Sequence, residues 1–166
     1  MRNLKEEESI KLFVKASNLA KEGKYKEAIK FYDKGLKINP KYVPALCDKA
    51  WILGAINKYK ESIKIYNKAL KIDPKFTGAW YSKGTTLGGM KKYKEANKCY
   101  DRVLKIDPKY VKAWYQKGNI LSKLKKYKEA IKCYDKALKI NPKYYEAIYN
   151  KLWVITVLKK SSKNTK

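Results

Sequence analysis

Four prolines recur at one spacing along the chain, and this period constrains the fold more than any other feature. They are Pro40, Pro74, Pro108 and Pro142, each 34 residues after the one before. The segments that end on them are LKINP, LKIDP, LKIDP and LKINP. A strict period of this length over most of a chain is typical of a repeat architecture, in which each unit packs on its neighbours. Such proteins present extended surfaces to partners, and enclosed reaction pockets are rare on them.

The period divides the chain into predicted units and two ends. The units are 9–42, 43–76, 77–110 and 111–144; residues 1–8 are a predicted lead-in, 145–160 a predicted C-terminal capping helix or half repeat, and 161–166 a predicted disordered tail. Within each unit, apolar residues recur at steps of three and four, which is helical spacing. The proline ends the second helix, because the residue before a proline is disfavoured in the helical region. Each unit is therefore predicted to be a helix, a tight turn and a second helix.

The fourth unit shows this pattern most fully, and its residues resemble the tetratricopeptide repeat (TPR) family. The turn falls at Lys125 and Lys126. The signature residues are Trp114, Gly118, Leu121, Tyr127, Ala130, Tyr134, Ala137 and Pro142, and similar matches recur in the other three units. The resemblance extends over residues 9–158. It implies an all-α fold, a right-handed superhelical solenoid of antiparallel helix pairs with a C-terminal capping helix.

One departure from the family pattern recurs in every unit. A lysine occupies a place often held by leucine, at Lys15, Lys49, Lys83, Lys117 and Lys151. We expect these ammonium groups to be solvated while the aliphatic stems pack.

The resemblance also implies a surface that binds peptides. The first helices of TPR units line a concave groove, and the positions that match it are Phe13, Ser17, Trp51, Tyr81, Thr85, Tyr115, Gln116, Asn119, Tyr149, Asn150 and Trp153. Amide side chains donate and accept hydrogen bonds, which suits an extended peptide backbone. Tyrosine and tryptophan are enriched at interface hot spots. For Tyr81, Tyr115 and Tyr149, packing between helices is the alternative to ligand contact.

One TPR subclass clamps the C-terminal carboxylate of chaperone tails with lysines, asparagines and an arginine. The corresponding positions are Phe13, Ser17, Asp48, Gly78 and Ser82, or one unit further along Cys47, Trp51, Ser82, Lys112 and Gln116. Neither set reproduces the clamp, so we expect no binding of acidic chaperone C-termini by that mode. The predicted function is an interaction scaffold or adaptor for a protein or peptide partner that the sequence does not identify.

The first unit is predicted to be an N-terminal cap. Where later units place apolar residues toward the unit before them, it has Lys11, Asn18 and Glu22. A polar outer face of this kind keeps the end of a repeat array soluble.

The last segment has the opposite character. The sequence YEAIYNKLWVITVLKK is apolar on nearly all sides, and Leu152, Ile155 and Leu158 are expected to lack a covering helix. An exposed apolar patch is typical of an interface, which predicts a homodimer through residues 145–158. The alternative is an imperfectly polar capping helix.

The charge of the chain is strongly positive. Lysine and arginine number 41 against 15 aspartates and glutamates, a net charge of +26, and most lysines fall on the predicted second helices and turns. One interpretation is a solvated surface of the kind seen in thermophiles, with Glu27, Glu61, Glu95 and Glu129 each paired to the lysine three residues later. The other is association with RNA, DNA or an anionic surface through counterion release. Because the aromatic residues fall elsewhere, a dedicated RNA reader is not expected.

Several functional classes have no support in the sequence. The chain has no histidine, no glycine-rich phosphate loop, no metal-ligand spacing and no nucleophile paired with a base, so we predict no enzyme activity, cofactor or metal site. It has no long apolar run and no signal-peptide pattern, which predicts a cytoplasmic protein without a membrane span. Cys47, Cys99 and Cys133 are expected to be small apolar packing residues without a disulfide.

Overall fold

The computed structural model describes residues 4–163, with side chains up to residue 160. Over this range the backbone forms nine α-helices and no strand. They are α1 (Leu4–Lys21), α2 (Tyr25–Ile38), α3 (Val43–Ala55), α4 (Tyr59–Ile72), α5 (Thr77–Gly89), α6 (Tyr93–Ile106), α7 (Val111–Lys123), α8 (Tyr127–Ile140) and α9 (Tyr145–Lys163). The predicted all-α fold is confirmed for the described residues. None of these helices is long and apolar enough to cross a bilayer.

The chain divides into two compact halves, an N-terminal half that ends at Thr86 and a C-terminal half that begins at Leu87. In the N-terminal half, α1 packs against α2, α2 against α3 and α3 against α4. In the C-terminal half, α6 packs against α7, α7 against α8 and α8 against α9. Short turns join the two helices of each pair, so they run antiparallel. We call α1, α3, α5, α7 and α9 the first helices, and α2, α4, α6 and α8 the second helices.

A left-handed residue closes the turn inside each pair. Gly23, Asn57, Lys91 and Lys125 have φ angles between 59° and 75°. The N–H of the next residue then donates to a carbonyl five residues back, as from Lys126 to Leu121 at 2.9 Å. This bond satisfies a carbonyl at the end of the first helix. The prediction of a tight turn at Lys125 and Lys126 is confirmed.

The repeated Asn-Pro and Asp-Pro segments have a local explanation. The side chains of Asp73, Asp107 and Asn141 accept the backbone N–H of the residue two positions later, at 2.9 to 3.1 Å. Such turns stabilise the bend that follows each second helix. The indole N–H of Trp114 donates to the carbonyl of Pro108 at 2.9 Å, which fixes the next first helix to the same bend.

Within each half, the core lies between paired helices, namely α1 and α2, α3 and α4, and α7 and α8. Tyr32, Tyr66, Tyr100 and Tyr134 on the second helices are each at most 2% exposed. In α7, a small residue makes room for the ring. A Cβ atom on Gly118 would lie 2.6 Å from Tyr134 Cε1, so α7 and α8 cross closely at Gly118, one of the signature residues of the fourth unit.

Lysines of the first helices pair with aspartates of the preceding second helices. The Nζ–Oδ1 distances are 2.5 Å for Lys49 and Asp33, 2.5 Å for Lys117 and Asp101, and 2.6 Å for Lys151 and Asp135. The prediction of solvated ammonium groups is wrong for these lysines, whose side chains are 17–30% exposed. The two residues of each ion pair are 16 positions apart and belong to consecutive repeats. The spacing of three or four residues between neighbours on one helix therefore does not indicate these ion pairs.

One repeat lacks the aspartate of this ion pair. The equivalent positions are Asn67 and Lys83. Asn67→Asp is expected to raise the free energy of unfolding by about 0.5 kcal/mol, because Lys83 is half-buried and gains a counterion. Urea denaturation followed by circular dichroism measures this gain. In a Lys83→Ala background the substitution should have no effect, and an equal gain there would show that no ion pair forms.

The helices at both ends extend further than predicted. α1 begins at Leu4, inside the predicted lead-in, because Glu6 and Glu7 in its first turn favour a helix N-terminus. α9 continues to Lys163, inside the predicted tail, because no glycine or proline interrupts the segment after Lys160. Residues 1–3 of the predicted lead-in and 164–166 of the predicted tail lie outside the described residues.

Candidate functional site

An open pocket lies beside an exposed indole on the first helices of the N-terminal half. It has a volume of about 210 Å³, and its lining includes Ser17, Lys21, Tyr32, Asp48, Trp51 and Ile52. Trp51 on α3 is 54% exposed. The Tyr25 ring meets the indole edge-on, with 6.3 Å between the ring centres. A large aromatic side chain at the rim of a concave surface is suited to contact with a partner.

A tyrosine and a carboxylate meet in this pocket. The Tyr32 hydroxyl donates to Asp48 Oδ2 at 3.3 Å. Burial raises the pKa of Tyr32, and the charge of Asp48 raises it further. Burial also raises the pKa of Asp48, and the hydrogen bond from Tyr32 opposes that rise. The Asp48 side chain is exposed to solvent at the mouth of the pocket, so its carboxylate is accessible to a ligand.

A buried hydroxyl on α4 lacks a hydrogen bond. Tyr66 is fully buried, and its hydroxyl has no partner among the described residues. Burial raises the pKa of Tyr66. An unpaired buried hydroxyl is costly to the folded state.

In the C-terminal half, Asn119 on α7 is the centre of a hydrogen-bond network. Its Oδ1 accepts from the Tyr134 hydroxyl at 2.8 Å and from Asn150 Nδ2 at 2.8 Å. Asn150 Nδ2 also donates to the Tyr115 hydroxyl at 3.1 Å. Asn119 Nδ2 donates to Gln116 Oε1 at 3.3 Å. The fold therefore brings four of the predicted groove residues together and links α7, α8 and α9 through them.

Aromatic rings lie around this network. Tyr115 is half-buried, and its ring centre lies 6.2 Å from that of Tyr134 and 5.2 Å from that of Tyr144. Tyr149 and Trp153 on α9 are 72% and 52% exposed. The Tyr115 ring thus makes the packing contacts that were the alternative to ligand contact, whereas Tyr149 and Trp153 present their rings to solvent.

The two predicted groove residues of α5 differ in exposure. Tyr81 is half-buried and Thr85 is exposed. The Thr85 hydroxyl donates to the Tyr81 carbonyl of its own helix at 3.2 Å. Threonine often makes this bond within a helix.

Phe13 does not line the groove, and its prediction is wrong. Its side chain is 7% exposed, and its ring stacks on Tyr42 with 5.0 Å between the ring centres. Gly35 on α2 is the physical reason. A side chain there would collide with the Phe13 ring, so the ring occupies space that is available only in this repeat.

The sequence analysis does not assign Tyr32 and Tyr134 to the candidate site. Their positions in the repeat indicate the core, and their rings lie there. Their hydroxyls nevertheless reach Asp48 and Asn119 on the first helices. A tyrosine in place of a purely apolar core residue could have indicated these contacts, since a buried phenol needs a hydrogen-bond partner.

The apolar residues predicted as an oligomer interface differ in exposure. Leu152 is 59% exposed, as predicted for a residue without a covering helix. Ile155 and Leu158 are only half-buried, because α9 turns their side of the helix partly toward the rest of the C-terminal half.

The second helices carry the positive charge on one stripe. Each has four exposed cations at steps of four, four and three residues: Lys26, Lys30, Lys34, Lys37; Lys60, Lys64, Lys68, Lys71; Lys94, Lys98, Arg102, Lys105; and Lys128, Lys132, Lys136, Lys139. The predicted pairing of glutamates with the lysine three residues later is wrong for Glu61, Glu95 and Glu129. Their partners are the lysines three residues earlier, at 3.0 to 3.3 Å. The stripe is therefore not neutralised by these glutamates.

Metal and thiol chemistry have little basis in the described residues. No group of three or more histidine, cysteine, aspartate or glutamate side chains in that range could hold a metal ion. Cys99 and Cys133 are buried, Cys47 is half-buried, and no disulfide joins them. Burial raises the pKa of Cys133 to about 11, which leaves the thiol protonated at neutral pH.

Models of the tetratricopeptide repeat match the chain over residues 19–83, 78–110 and 111–144. None of the curated proteins compared with the chain matches it.

Solved structures share the fold. "MamA 41-end from Desulfovibrio magneticus RS-1" aligns with a TM-score of 0.84 and 20% identity, over 99% of this chain and 90% of its own. "MamA RS-1 ArsTM double mutant" gives 0.83 and 20%, over 94% and 87%. "First TPR of Spaghetti (RPAP3) bound to HSP90 peptide SRMEEVD" gives 0.67 and 24%, over 70% and 92%. The predicted solenoid of helix pairs is confirmed by these alignments, which establish the fold alone.

Proposed function

Because the chain belongs to the tetratricopeptide repeat family, we propose that it is a non-enzymatic scaffold whose first helices hold an extended peptide or a partner helix. The observation that carries this proposal is the Trp51 indole, 54% exposed at the rim of a pocket that contains Asp48. A large aromatic side chain that becomes buried on association is typical of the residues that dominate binding energy.

The N-terminal pocket favours a peptide with charges of both signs. Asp48 can accept hydrogen bonds from an amine or a guanidinium, and the face of Trp51 attracts a cation. Lys21 lies on the same lining and can pair with an acidic side chain. A peptide with a basic residue beside an acidic one therefore fits this pocket better than a uniformly acidic one.

The C-terminal half supplies a second contact region. The bonds within the Asn119 network already fix Asn150, so little side-chain freedom would be lost on binding. These bonds use the Asn150 amide nitrogen and leave its Oδ1 able to accept a peptide N–H. Tyr149 and Trp153 on the same helix add exposed aromatic contact area.

The structural neighbour bound to the HSP90 peptide SRMEEVD supports peptide binding by a fold of this kind. In this chain the positions of the carboxylate clamp include buried Phe13 and the carboxylate of Asp48, which would repel another carboxylate. We therefore propose a different class of peptide and expect SRMEEVD not to bind.

Peptides selected on the protein from a random displayed library are the probe for this function. Trp51→Ala is expected to weaken their binding at least tenfold, about 1.4 kcal/mol, because the indole supplies buried contact area. Fluorescence anisotropy measures the Kd. Ile72→Ala is the matched control, since it removes a side chain that is 38% exposed on a second helix. Equal weakening by both variants, or an unchanged Kd for both Trp51→Ala and Trp153→Ala, would contradict the proposal.

The cationic stripe of the second helices favours association with a polyanion as a second candidate. Four aligned cations on each helix release counterions when they meet phosphates. For a single-stranded oligonucleotide we expect a Kd that rises steeply with salt and does not depend on base sequence. The combined change Lys60→Gln, Lys64→Gln and Lys68→Gln should weaken this binding, whereas Trp51→Ala should not. Strong sequence preference, or loss of binding on Trp51→Ala, would contradict this candidate.

A further inference from the structure

The last helix has an apolar face that the rest of the C-terminal half covers only in part. Tyr145, Ile148, Leu152 and Ile155 recur at steps of three and four residues and form this α9 face. Tyr145 and Leu152 are 70% and 59% exposed, and the two isoleucines are half-buried. The face adjoins the peptide contact region proposed above, because Tyr149 lies four residues after Tyr145 and three before Leu152.

The first helix has a second uncovered surface, although the sequence predicts a polar cap there. Ile10 and Val14 on α1 are 36% and 55% exposed. They line a shallow groove of about 470 Å³ with Lys11, Asn18, Leu19 and Glu22. We call this groove the α1 face. Lys15 also borders this groove. Its ammonium group lies 4.4 Å from the centre of the Phe31 ring and makes a cation–π contact within the same chain.

The helix ends beside the two faces carry opposite charges, whereas the α1 face itself includes the basic Lys11. The first turns of α1 carry Glu6, Glu7 and Glu8 in sequence, an acidic segment in a chain with a net charge of +26. The end of α9 carries Lys159 and Lys160, both on exposed positions. In an antiparallel pair of α9 helices, Glu146 is the one acidic residue that each helix offers to these lysines, against three glutamates on α1, so docking on α1 is favoured over self-pairing of α9.

The spacing of the residues fits one arrangement of the two helices. Seven positions separate Leu152 from Lys159, and seven separate Val14 from Glu7. In an antiparallel pair, a register that places Leu152 on Val14 therefore places Lys159 beside Glu7. Antiparallel pairing is also the arrangement of every helix pair within a repeat of this fold, and it opposes the helix dipoles favourably.

We propose that the α9 face of one copy of this chain docks antiparallel on the α1 face of a second copy. The contact is heterologous, because different surfaces of the two copies meet. It differs from the symmetric dimer through residues 145–158 that the sequence predicts. Each docked pair leaves one α1 face and one α9 face available for further copies.

Two blocked variants distinguish this mode from a symmetric dimer. Val14→Glu blocks the α1 face, and Leu152→Glu blocks the α9 face; both side chains are more than half exposed, so folding should be retained. Sedimentation equilibrium is run at about 100 µM, where a contact with a Kd of about 10 µM is mostly formed. The wild type should associate beyond the dimer, and each variant alone should have the mass of one chain. An equimolar mixture should reach the mass of two chains and stop there.

Three outcomes would overturn the proposal. The first is a wild type with the mass of one chain at this concentration. The second is Val14→Glu that dimerises alone, which would show a symmetric α9 contact. The third is a mixture of the two variants with the mass of one chain. Circular dichroism verifies folding, and Ile10→Glu and Tyr145→Glu replace the first pair if either variant unfolds.

Discussion

Asn119→Ala is expected to lower the free energy of unfolding by about 2–3 kcal/mol, because it leaves two hydrogen-bond donors without their acceptor. These donors are the Tyr134 hydroxyl and Asn150 Nδ2, each 2.8 Å from Asn119 Oδ1. Tyr134 is 1% exposed, so water cannot easily replace the lost acceptor. Urea denaturation followed by circular dichroism measures the loss.

Two further variants separate the hydrogen bonds from the loss of packing. Gln116→Ala removes a longer bond of 3.3 Å to the same asparagine and should lower the free energy of unfolding by less than about 1 kcal/mol. Tyr134→Phe removes the hydroxyl alone. Combined with Asn119→Ala, it should cost less than the sum of the single changes, because no unpaired phenol remains. Strict additivity of the two changes would contradict the network.

Gly118→Ala is expected to lower the free energy of unfolding by about 1–2 kcal/mol. The new Cβ atom would lie 2.6 Å from Tyr134 Cε1 and 2.8 Å from Cδ1. The ring cannot move aside easily, because Tyr134 is buried and its hydroxyl is bonded to Asn119. Alanine favours a helix over glycine by about 1 kcal/mol. The predicted decrease in the free energy of unfolding is the steric cost of the new Cβ atom less this gain in helix propensity. Thermal and urea denaturation both measure it.

Gly89→Ala is the matched control for this substitution. Gly89 also lies in a helix, but no atom lies within 4 Å of its prospective Cβ. The same chemical change should therefore stabilise the protein by about 0.5 kcal/mol through helix propensity. If both variants changed stability in the same direction, the close crossing of α7 and α8 would not be the cause.

The architecture could be predicted from the sequence because its determinants are local and repeated four times. Proline ends each second helix, and the Asn or Asp before it closes the bend through its own side chain. Gly118 and Ala130 mark a close helix crossing. Such signals lie within one repeat, and the same signals recur in the other repeats.

The site could be predicted only in part, because its contacts join different helices and different repeats. The position of Phe13 in the repeat predicts a groove residue, but Gly35, 22 residues later, lets the ring enter the core. The sequence predicts that the asparagines face a peptide, and the fold uses much of their hydrogen-bonding capacity internally. The bond between Asn150 and Tyr115 spans 35 residues, and no spacing rule within a helix indicates it.

The two candidate functions are separable because they use different helices. Trp51 and Trp153 are exposed on first helices, and the aligned cations lie on the second helices. A substitution on a first helix leaves the cations in place, so each candidate function can be tested alone in the full chain.

The central claim is that the first helices bind a protein partner, and capture from the source lysate at moderate salt after nuclease treatment tests it most directly. The baits are the wild type, the double variant Trp51→Ala and Trp153→Ala, and the triple variant Lys60→Gln, Lys64→Gln and Lys68→Gln. We predict a protein that survives nuclease, stays with the lysine variant and is lost from the tryptophan variant. A capture that disappears with nuclease, or that depends on the lysines and not on the tryptophans, would contradict this account.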